Sequence, residues 1–164
     1  MEDYLNIRKK LNLSRINQVG VVVKDIDRAA EYYSSIFGLG PFTVYDFEPD
    51  KHWYLEKPSH LKLRIAKATW GDIEWEMIQP VEGKSLHQEF LNMFGEGVQH
   101  LGFNVKNYEH SFKRFVENGF QPLMRAESYV QTYEGDLKAC YFDTRQVGGV
   151  IFEIIWKSWL PDCQ

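Results

Sequence analysis

The segment Gln99–Lys106, with the sequence QHLGFNVK, repeats an earlier segment, Asn17–Lys24, with the sequence NQVGVVVK. When Gln18 is aligned with His100, the glycine two positions later and the lysine at the end of each segment also align. Both segments are apolar except for these few positions, which is typical of a strand with one buried face. The chain is therefore built from two copies of one unit, and each unit opens with a strand that carries a polar residue.

The two copies also match where each one ends. The segment Trp75–Ile78 (WEMI) aligns with Phe152–Ile155 (FEII), so that Glu76 in the first copy corresponds to Glu153 in the second. Each half thus closes with a glutamate inside an apolar strand.

Each half is expected to have the element order βαβββ. In the first half a strand at 16–24 precedes a helix from about Ile26 to Ile36, which Asp25 caps and Gly38 ends. Because one βαβββ unit cannot bury both its sheet and its helix alone, the two units are expected to pair. We predict an α+β fold in which two βαβββ repeats form one curved, barrel-like mixed sheet with the helices outside.

The division of the chain follows from the repeat. We expect an N-terminal arm at residues 1–15, the paired domain at 16–157 and a C-terminal tail at 158–164. Within the paired domain, repeat one covers 16–80 and repeat two covers 98–157. Leu5, Ile7 and Leu11 are apolar positions by which the arm can dock on the body, and Glu48–Pro58 is expected to be a polar and aromatic loop.

Composition excludes several classes of function. The chain has 164 residues, of which 44% are hydrophobic and 26% charged, and its net charge is −4. This balance is that of a globular domain without the basic surface that binds nucleic acid or anionic membranes. No apolar run approaches the roughly 20 residues of a membrane helix. Two cysteines make no disulfide framework, and an acidic N-terminus is unlike a signal peptide, so a cytoplasmic location is expected.

The polar residues of the repeat form a candidate metal site. Glu153 shares a strand face with Ile151 and Ile155, and burial of an unpaired carboxylate costs several kcal/mol, so it needs a partner or a metal. The repeat places equivalent residues at symmetry-related positions, which brings four side chains towards one axis: Gln18, Glu76, His100 and Glu153. Three oxygen donors and one imidazole suit a single divalent ion such as Zn, Ni, Co, Mn or Fe(II).

Less specific interpretations exist for each of these residues. A single histidine in an apolar strand is usually a hydrogen-bonded core residue. Glu74 lies on the same strand face as Glu76 and is its rival as a ligand. The metal site is favoured because all four polar residues occupy repeat-matched positions in apolar strands.

The pattern resembles the vicinal oxygen chelate superfamily, which includes glyoxalase I, methylmalonyl-CoA epimerase, extradiol dioxygenases and bleomycin-resistance proteins. The resemblance covers about residues 16–157. It is carried by five short segments in the expected order: Gln18–Asp25, Phe37–Leu39, Trp75–Pro80, Gly95–Phe103 and Gly149–Glu153.

Within that superfamily the ligand set is similar to one type of glyoxalase I, which uses a Gln, Glu, His, Glu quartet. The GEGVQH segment that ends at His100 looks more like methylmalonyl-CoA epimerases, but these usually have His at the position of Gln18. Extradiol dioxygenases bind iron with two histidines and one carboxylate, and only one histidine of the set is present here.

The resemblance implies a metal-dependent isomerase, epimerase or glyoxalase-type lyase that removes a proton α to a carbonyl group. Glu153 and Glu76 are then the candidate catalytic bases, with Glu153 preferred. The implied substrate is a small molecule, either an α-keto hemithioacetal or an acyl-CoA thioester, and a homodimer is expected. The first alternative is a binding or resistance protein of the same fold without catalysis. An iron-dependent dioxygenase ranks below it.

Two further groups of residues are weaker candidates for substrate contacts. The first consists of cations on predicted strands, which are more often solvated charges: Arg64, Arg125 and Lys138. The second consists of aromatic residues in predicted loops, which also suit packing at the rim or at a dimer interface: His52, Trp53, Tyr54, Tyr129 and Tyr133.

Overall fold

The computed structural model of the protein describes residues 11, 13 and 15–160. The expectations for Leu5 and Ile7 in the arm and for the end of the tail lie outside the described residues. Leu11 is buried in the hydrophobic cluster around Phe115 and Phe142, with Leu13 packed against it.

One curved sheet contains all ten strands of the described residues. Their bounds are β1 Gln18–Val22, β2 Thr43–Phe47, β3 Lys51–Tyr54, β4 Lys57–Pro58, β5 Leu61–Trp70, β6 Ile73–Gly83, β7 Gly97–Asn104, β8 Pro122–Val130, β9 Gly135–Phe142 and β10 Ile151–Lys157. Across the sheet the order is β2-β5-β6-β1-β7-β10-β9-β8-β3-β4. The first strands of the two repeats, β1 and β7, are antiparallel neighbours at the centre, and each is parallel to the last strand of its own repeat. The predicted α+β fold with paired repeats is confirmed.

The helices begin and end where the local sequence requires. They are α1 Ile26–Phe37, α2 Leu86–Phe94 and α3 Tyr108–Glu117. Asp25, Ser85 and Asn107 precede them, and the side-chain oxygen of each accepts a hydrogen bond from a backbone N–H in the first turn. Gly38 ends α1 with φ of 67°, a conformation that costs glycine little.

The expected loop at Glu48–Pro58 is instead mostly strand. Lys51–Tyr54 pairs antiparallel with β8 of the second repeat, and Lys57–Pro58 folds back on it. The strand β3 is only four residues long, with the sequence KHWY, and so lacks the apolar run by which the longer strands are recognised. The interpretation of His52, Trp53 and Tyr54 as loop residues was therefore wrong. Tyr129 also lies on a strand, within β8.

The core lies between the helices and the outer face of the sheet. One cluster joins α3 to β9 and β10, and its ring pair of Phe115 and Phe142 stacks with centroids 4.3 Å apart. A second cluster joins α1 to β1, β5 and β6 around Ile26 and Met77. The inner face of the sheet carries the buried polar residues. None of the helices in the described ranges is long and apolar enough to cross a membrane.

Replacement of Phe115, a ring with no exposed surface, tests the larger cluster. We expect Phe115→Ala to lower the free energy of unfolding by about 3 to 5 kcal/mol, because it leaves a cavity against Phe142. Val116, the next residue of the same helix, is 45% exposed. Val116→Ala should change that free energy by no more than about 0.5 kcal/mol. Urea denaturation followed by circular dichroism measures both, and equal losses in the two variants would contradict this account of the core.

Candidate metal centre

The four repeat-matched polar residues lie on the four central strands of the sheet. Gln18 is on β1, Glu76 on β6, His100 on β7 and Glu153 on β10, and their exposed fractions are 2%, 5%, 0% and 4%. Four polar side chains with so little exposure need partners within the protein or a bound ion.

Two glycines make room for these side chains. Gly20 pairs with His100 across β1 and β7, and Gly102 pairs with Gln18. A Cβ atom on residue 20 would lie 1.8 to 2.3 Å from three ring atoms of His100. A Cβ atom on residue 102 would lie 2.8 Å from Oε1 of Gln18. Each polar side chain therefore lies over the glycine of the neighbouring strand, and no larger residue fits at either position without displacing it.

The strand register brings the two glutamates to the same place. Glu76 pairs with Gly20 on one side of the central strands, and Glu153 pairs with Gly102 on the other. His100 Nε2 lies 3.5 Å from Glu76 Oε2 and 3.4 Å from Glu153 Oε2. One ligand atom from each of these three residues lies within 4.8 Å of the others. The structure thus brings together the residues that the repeat relates.

A partly buried lysine, Lys67, distinguishes Glu76 from its rival Glu74. Lys67 Nζ on β5 lies 2.9 Å from Glu74 Oε1 and 3.0 Å from Glu76 Oε1. Glu76 is thereby held at one oxygen by Lys67 while its other oxygen faces His100. Glu74 instead accepts a hydrogen bond of 2.7 Å from Gln18 Nε2. That bond fixes the amide orientation, so that Gln18 Oε1 is left buried and without a hydrogen-bond partner among the described residues.

The orientation of His100 depends on its neighbour Gln99. Gln99 is the extra residue of a β-bulge, because the pairing with β1 passes from His100 to Val98. The bulge turns Gln99 towards the same interior as His100, where it is 2% exposed. Gln99 Nε2 donates to the Leu86 carbonyl, and Gln99 Oε1 lies 3.1 Å from His100 Nδ1.

This arrangement assigns the proton on the His100 ring. Because the Gln99 amide nitrogen is bonded to the Leu86 carbonyl, its oxygen faces His100, and a carbonyl oxygen only accepts hydrogen bonds. His100 Nδ1 therefore carries a proton, and in the neutral ring Nε2 has a free lone pair. A metal-binding histidine typically has this arrangement, with the other ring nitrogen donating to a fixed acceptor.

The ion pairs set the charge of Glu76. Burial favours the neutral carboxyl, but the Lys67 ammonium and the His100 imidazole outweigh it and hold the pKa of Glu76 well below its usual value. Burial alone would lower the pKa of Lys67, but Glu76, Tyr45 and Glu74 raise it well above the ordinary value. Both groups are therefore charged at neutral pH.

Glu153 is in a different electrostatic state. Burial raises its pKa to about 7, with His100 opposing this rise and the charge of Glu76 adding to it. The neighbouring Tyr141 hydroxyl favours the ionised form of Glu153, while burial keeps the pKa of Tyr141 itself well above its ordinary value. The pKa values of two glutamates at equivalent positions of the repeat thus shift in opposite directions, because Lys67 lies against Glu76.

The donor set fits a divalent cation. Three buried atoms of the set have no hydrogen-bond partner among the described residues, namely Gln18 Oε1, His100 Nε2 and Glu153 Oε2. With metal–ligand bonds of about 2.1 Å, adjacent ligand atoms lie about 3 to 3.5 Å apart. The separations around His100 Nε2 match that spacing, and a cation among these atoms would remove the repulsion between the lone pair and the two carboxylate oxygens.

A cavity opens beside this cluster. Glu153, Glu76, Gln18, Lys67 and Tyr141 line its polar part. Its remaining walls are mainly apolar and are formed by residues of β5, β8, β9 and β10, among them Leu63, Ile65, Met124, Ala139 and Ile155. The shape and lining suit a small molecule with an oxygenated end at the carboxylates and an apolar body.

The cations considered as substrate contacts lie elsewhere. Arg64 pairs with Asp27, Lys138 pairs with Glu109, and Arg125 pairs with Glu56 and stacks on Trp53. None of the three lines the cavity beside the cluster. Tyr133 stacks on Trp159 of the tail. These residues support the surface of the sheet and not the candidate site.

Several residues of the site were missed by sequence reasoning. Lys67 follows Leu61, Leu63 and Ile65 on one face of β5, and a cation on that otherwise apolar face was a usable signal. Gln99 interrupts the alternation of its strand beside His100, which indicates a bulge. His87 lies in the short helix α2, and nothing in the sequence predicts that this helix covers the cavity.

Comparison with known proteins agrees with the fold and the repeat. A family model described as the Glyoxalase/Bleomycin resistance protein/Dioxygenase superfamily matches residues 17–141. The chain belongs to this superfamily, which confirms the resemblance seen in its sequence.

Individual relatives are distant. The uncharacterized protein YqjC of Bacillus subtilis (strain 168) is 20% identical over 142 residues, which cover 87% of this chain and 91% of that protein. The structure of hypothetical protein BH1468 from Bacillus halodurans C-125 is 19% identical with a TM-score of 0.62, covering 88% of this chain and 94% of that one. A variant of Streptomyces coelicolor methylmalonyl-CoA epimerase in complex with 2-nitronate-propionyl-CoA is 18% identical with a TM-score of 0.59, covering 89% of this chain and 99% of that one. At these identities the structures establish the shared fold.

The contact between Gly20 and His100 allows a test of the centre without touching a proposed ligand. We expect Gly20→Ala to weaken the binding of a divalent metal about 10- to 100-fold, because the new methyl group occupies the position of the imidazole ring. Isothermal titration with zinc and cobalt measures the affinity.

Gly97→Ala is the matched control for this substitution. A Cβ atom there meets only Phe90, at an ordinary 3.8 Å, so its metal affinity should equal that of the parent. If Gly20→Ala, correctly folded, also binds metal as the parent does, the interpretation of His100 as a ligand is wrong.

Proposed function

We propose that the protein is a metal-dependent enzyme that removes and returns a proton α to a carbonyl group, as an isomerase, epimerase or glyoxalase-type lyase. Gln18, Glu76, His100 and Glu153 are the proposed ligands of one divalent ion. The proposal is carried by one observation: the two repeat-related glutamates share His100, yet only Glu76 has its second oxygen held by a lysine.

This difference divides the two carboxylates by role. Glu76, which Lys67 holds at one oxygen, would serve as a fixed ligand. Glu153 lines the cavity, and its Oε2 has no hydrogen-bond partner among the described residues. It is therefore the proposed base, which would leave the ion to take the α-proton and return it to the same or the neighbouring carbon.

The other residues of the cavity complete the mechanism. A bound divalent ion supplies positive charge that stabilises the enolate oxygen. Lys67 offsets one of the two negative charges of Glu76 and Glu74. Leu63, Ile65 and Met124 form apolar walls, which exclude water from the carbon atom that loses its proton.

The substrate class follows from the cavity and from the relatives together. An epimerase of the same fold is known with an acyl-CoA analogue bound. Acyl-CoA thioesters and hemithioacetals of α-ketoaldehydes both have an acidic C–H next to an oxygenated carbon, which is the feature that the centre recognises. These two classes are the first to be tested.

A second candidate function is the binding of a small apolar compound without catalysis. It is favoured by the mainly apolar walls of the cavity and by the presence of bleomycin-resistance proteins in the same superfamily. A binding protein of this kind has no use for an unpartnered carboxylate beside a histidine, and for this reason we place it second. An iron-dependent dioxygenase ranks below both, since the cluster contains a single histidine.

Exchange of the α-proton with solvent distinguishes these functions. We expect the metal-loaded protein in deuterated water to introduce deuterium into an acyl-CoA thioester or a hemithioacetal, as followed by proton NMR. Glu153→Gln should reduce the exchange rate by about 100- to 10,000-fold, because it removes the base. Elemental mass spectrometry of the same preparations reports whether the metal is retained.

Glu127→Gln is the matched control for the loss of a carboxylate. Glu127 pairs with Lys51 on the neighbouring strand and does not line the cavity, so its exchange rate should be that of the parent. Binding of the compounds without any exchange in the parent would refute the enzyme proposal and leave the binding protein in its place. Absence of metal from the parent after reconstitution would reject both the ligand set and the isomerase.

A further inference from the structure

A second buried histidine lies beside the proposed centre. His87, in the first turn of α2, has no exposed surface and lines the same cavity as Glu153. Its ring centroid is 6.0 Å from that of His100 and 5.4 Å from that of Tyr141, which it meets edge to face. His87 is thus part of the wall next to the reacting end of the cavity.

The proton on the His87 ring is assigned by the same amide that orients His100. Gln99 Oε1 lies 2.7 Å from His87 Nδ1, and this oxygen only accepts hydrogen bonds. His87 Nδ1 is therefore the donor, and Nε2 of the neutral ring has a free lone pair. That Nε2 atom is buried and has no hydrogen-bond partner among the described residues.

His87 is separate from the proposed metal ligands. The close set of ligand atoms consists of Glu76, His100 and Glu153 and does not include it. A buried acceptor without a partner is costly, and such groups are usually paired with a ligand or with ordered water. The lone pair of His87 therefore marks a position where a hydrogen-bond donor belongs.

The surroundings of His87 limit the kind of donor. Apart from the polar cluster, the cavity wall is mainly apolar, with Met124 and Ala126 on the strand β8. His52 pairs with Ala126 and so lies on the same face of the sheet, where it is 5% exposed and neither ring nitrogen has a partner among the described residues. The unpartnered imidazole nitrogens of His87 and His52 act as hydrogen-bond acceptors in their neutral rings, which suits a hydroxyl or N–H group of a ligand.

We propose that His87 Nε2 accepts a hydrogen bond from a hydroxyl or N–H group of the substrate and so selects substrates that carry such a group next to the metal-binding oxygens. This inference rests on the proposed function, since it assumes that the cavity holds the substrate of the metal centre. It narrows the substrate class to small carbonyl compounds with an additional hydrogen-bond donor. His87 acts as a specificity-determining residue, and Glu153 remains the base.

Short hydroxamic acids are suitable probes, because they bind a divalent ion through two oxygens as an enediolate does. The probes are the hydroxamates of propionic, butyric and valeric acid, each beside the analogue whose terminal methyl group is replaced by a hydroxyl group. Isothermal titration of the metal-loaded protein gives the dissociation constant of each member. We expect the hydroxyl analogue of at least one pair to bind about 10- to 100-fold more tightly than its methyl counterpart.

The variant His87→Asn removes the acceptor atom Nε2 and can keep the hydrogen bond that Nδ1 donates to Gln99. Asparagine places an amide nitrogen near the position of Nδ1, so the bond to Gln99 can persist, but it has no atom at the position of Nε2. The preference for the hydroxyl member should disappear in this variant, while the metal content and the affinity for the methyl members stay as in the parent. His87→Gln, which has an amide at the position of Nε2, should retain a preference, and equal binding of both members of each pair by the parent overturns the inference even if the Asn variant does not fold.

The outcomes separate this inference from the proposed function. Equal binding of both members of every pair by the parent overturns the role of His87, and so does a preference that persists in folded His87→Asn. Failure of all hydroxamates, methyl members included, to bind the metal-loaded parent instead indicates that the metal centre itself is wrong. A preference that is present in the parent and lost with His87→Asn supports the assignment of the substrate donor.

Discussion

The close approach of β1 and β7 is the constraint on which the site depends. Each strand places a polar side chain over the glycine of the other, so that His100 lies on Gly20 and Gln18 lies on Gly102. The missing Cβ atoms allow an imidazole and an amide to lie flat on the centre of the sheet. The parallel pairing of β6 and β10 with these strands then brings one glutamate from each repeat to the same point.

The two repeats share a backbone plan but differ in the residues that support it. In the first repeat Lys67 pairs with both Glu74 and Glu76, and Glu74 accepts a hydrogen bond from Gln18. In the second repeat Gln99 supports His100, and Glu153 has no cation beside it. The two halves of the internal repeat thus provide one firmly held carboxylate and one carboxylate in a less polar environment. Such a difference between paired carboxylates is a common basis of acid–base catalysis.

Most of the fold was predictable because the repeat relates distant parts of the chain. The matched glycines and glutamates indicated which strands are equivalent, and the caps at Asp25 and Gly38 located the first helix. The hairpin at Lys51–Pro58 was not predicted, because its first strand gains stability from pairing with β8 and not from an apolar pattern of its own. Pairing between strands that are far apart in sequence leaves little trace in the sequence of a short edge strand.

By itself the sequence determined the fold, the superfamily and the four repeat-matched polar residues, since each depends on periodicity and on the spacing of equivalent positions. Only the tertiary structure decided how these residues are supported. It placed Glu74 on Gln18 and Lys67 and left Glu76 facing His100, and it brought the bulged Gln99 between His87 and His100. These contacts join strands and a helix that come together only when the sheet curves. For that reason the state of each group in the site follows from three-dimensional packing and not from local pattern.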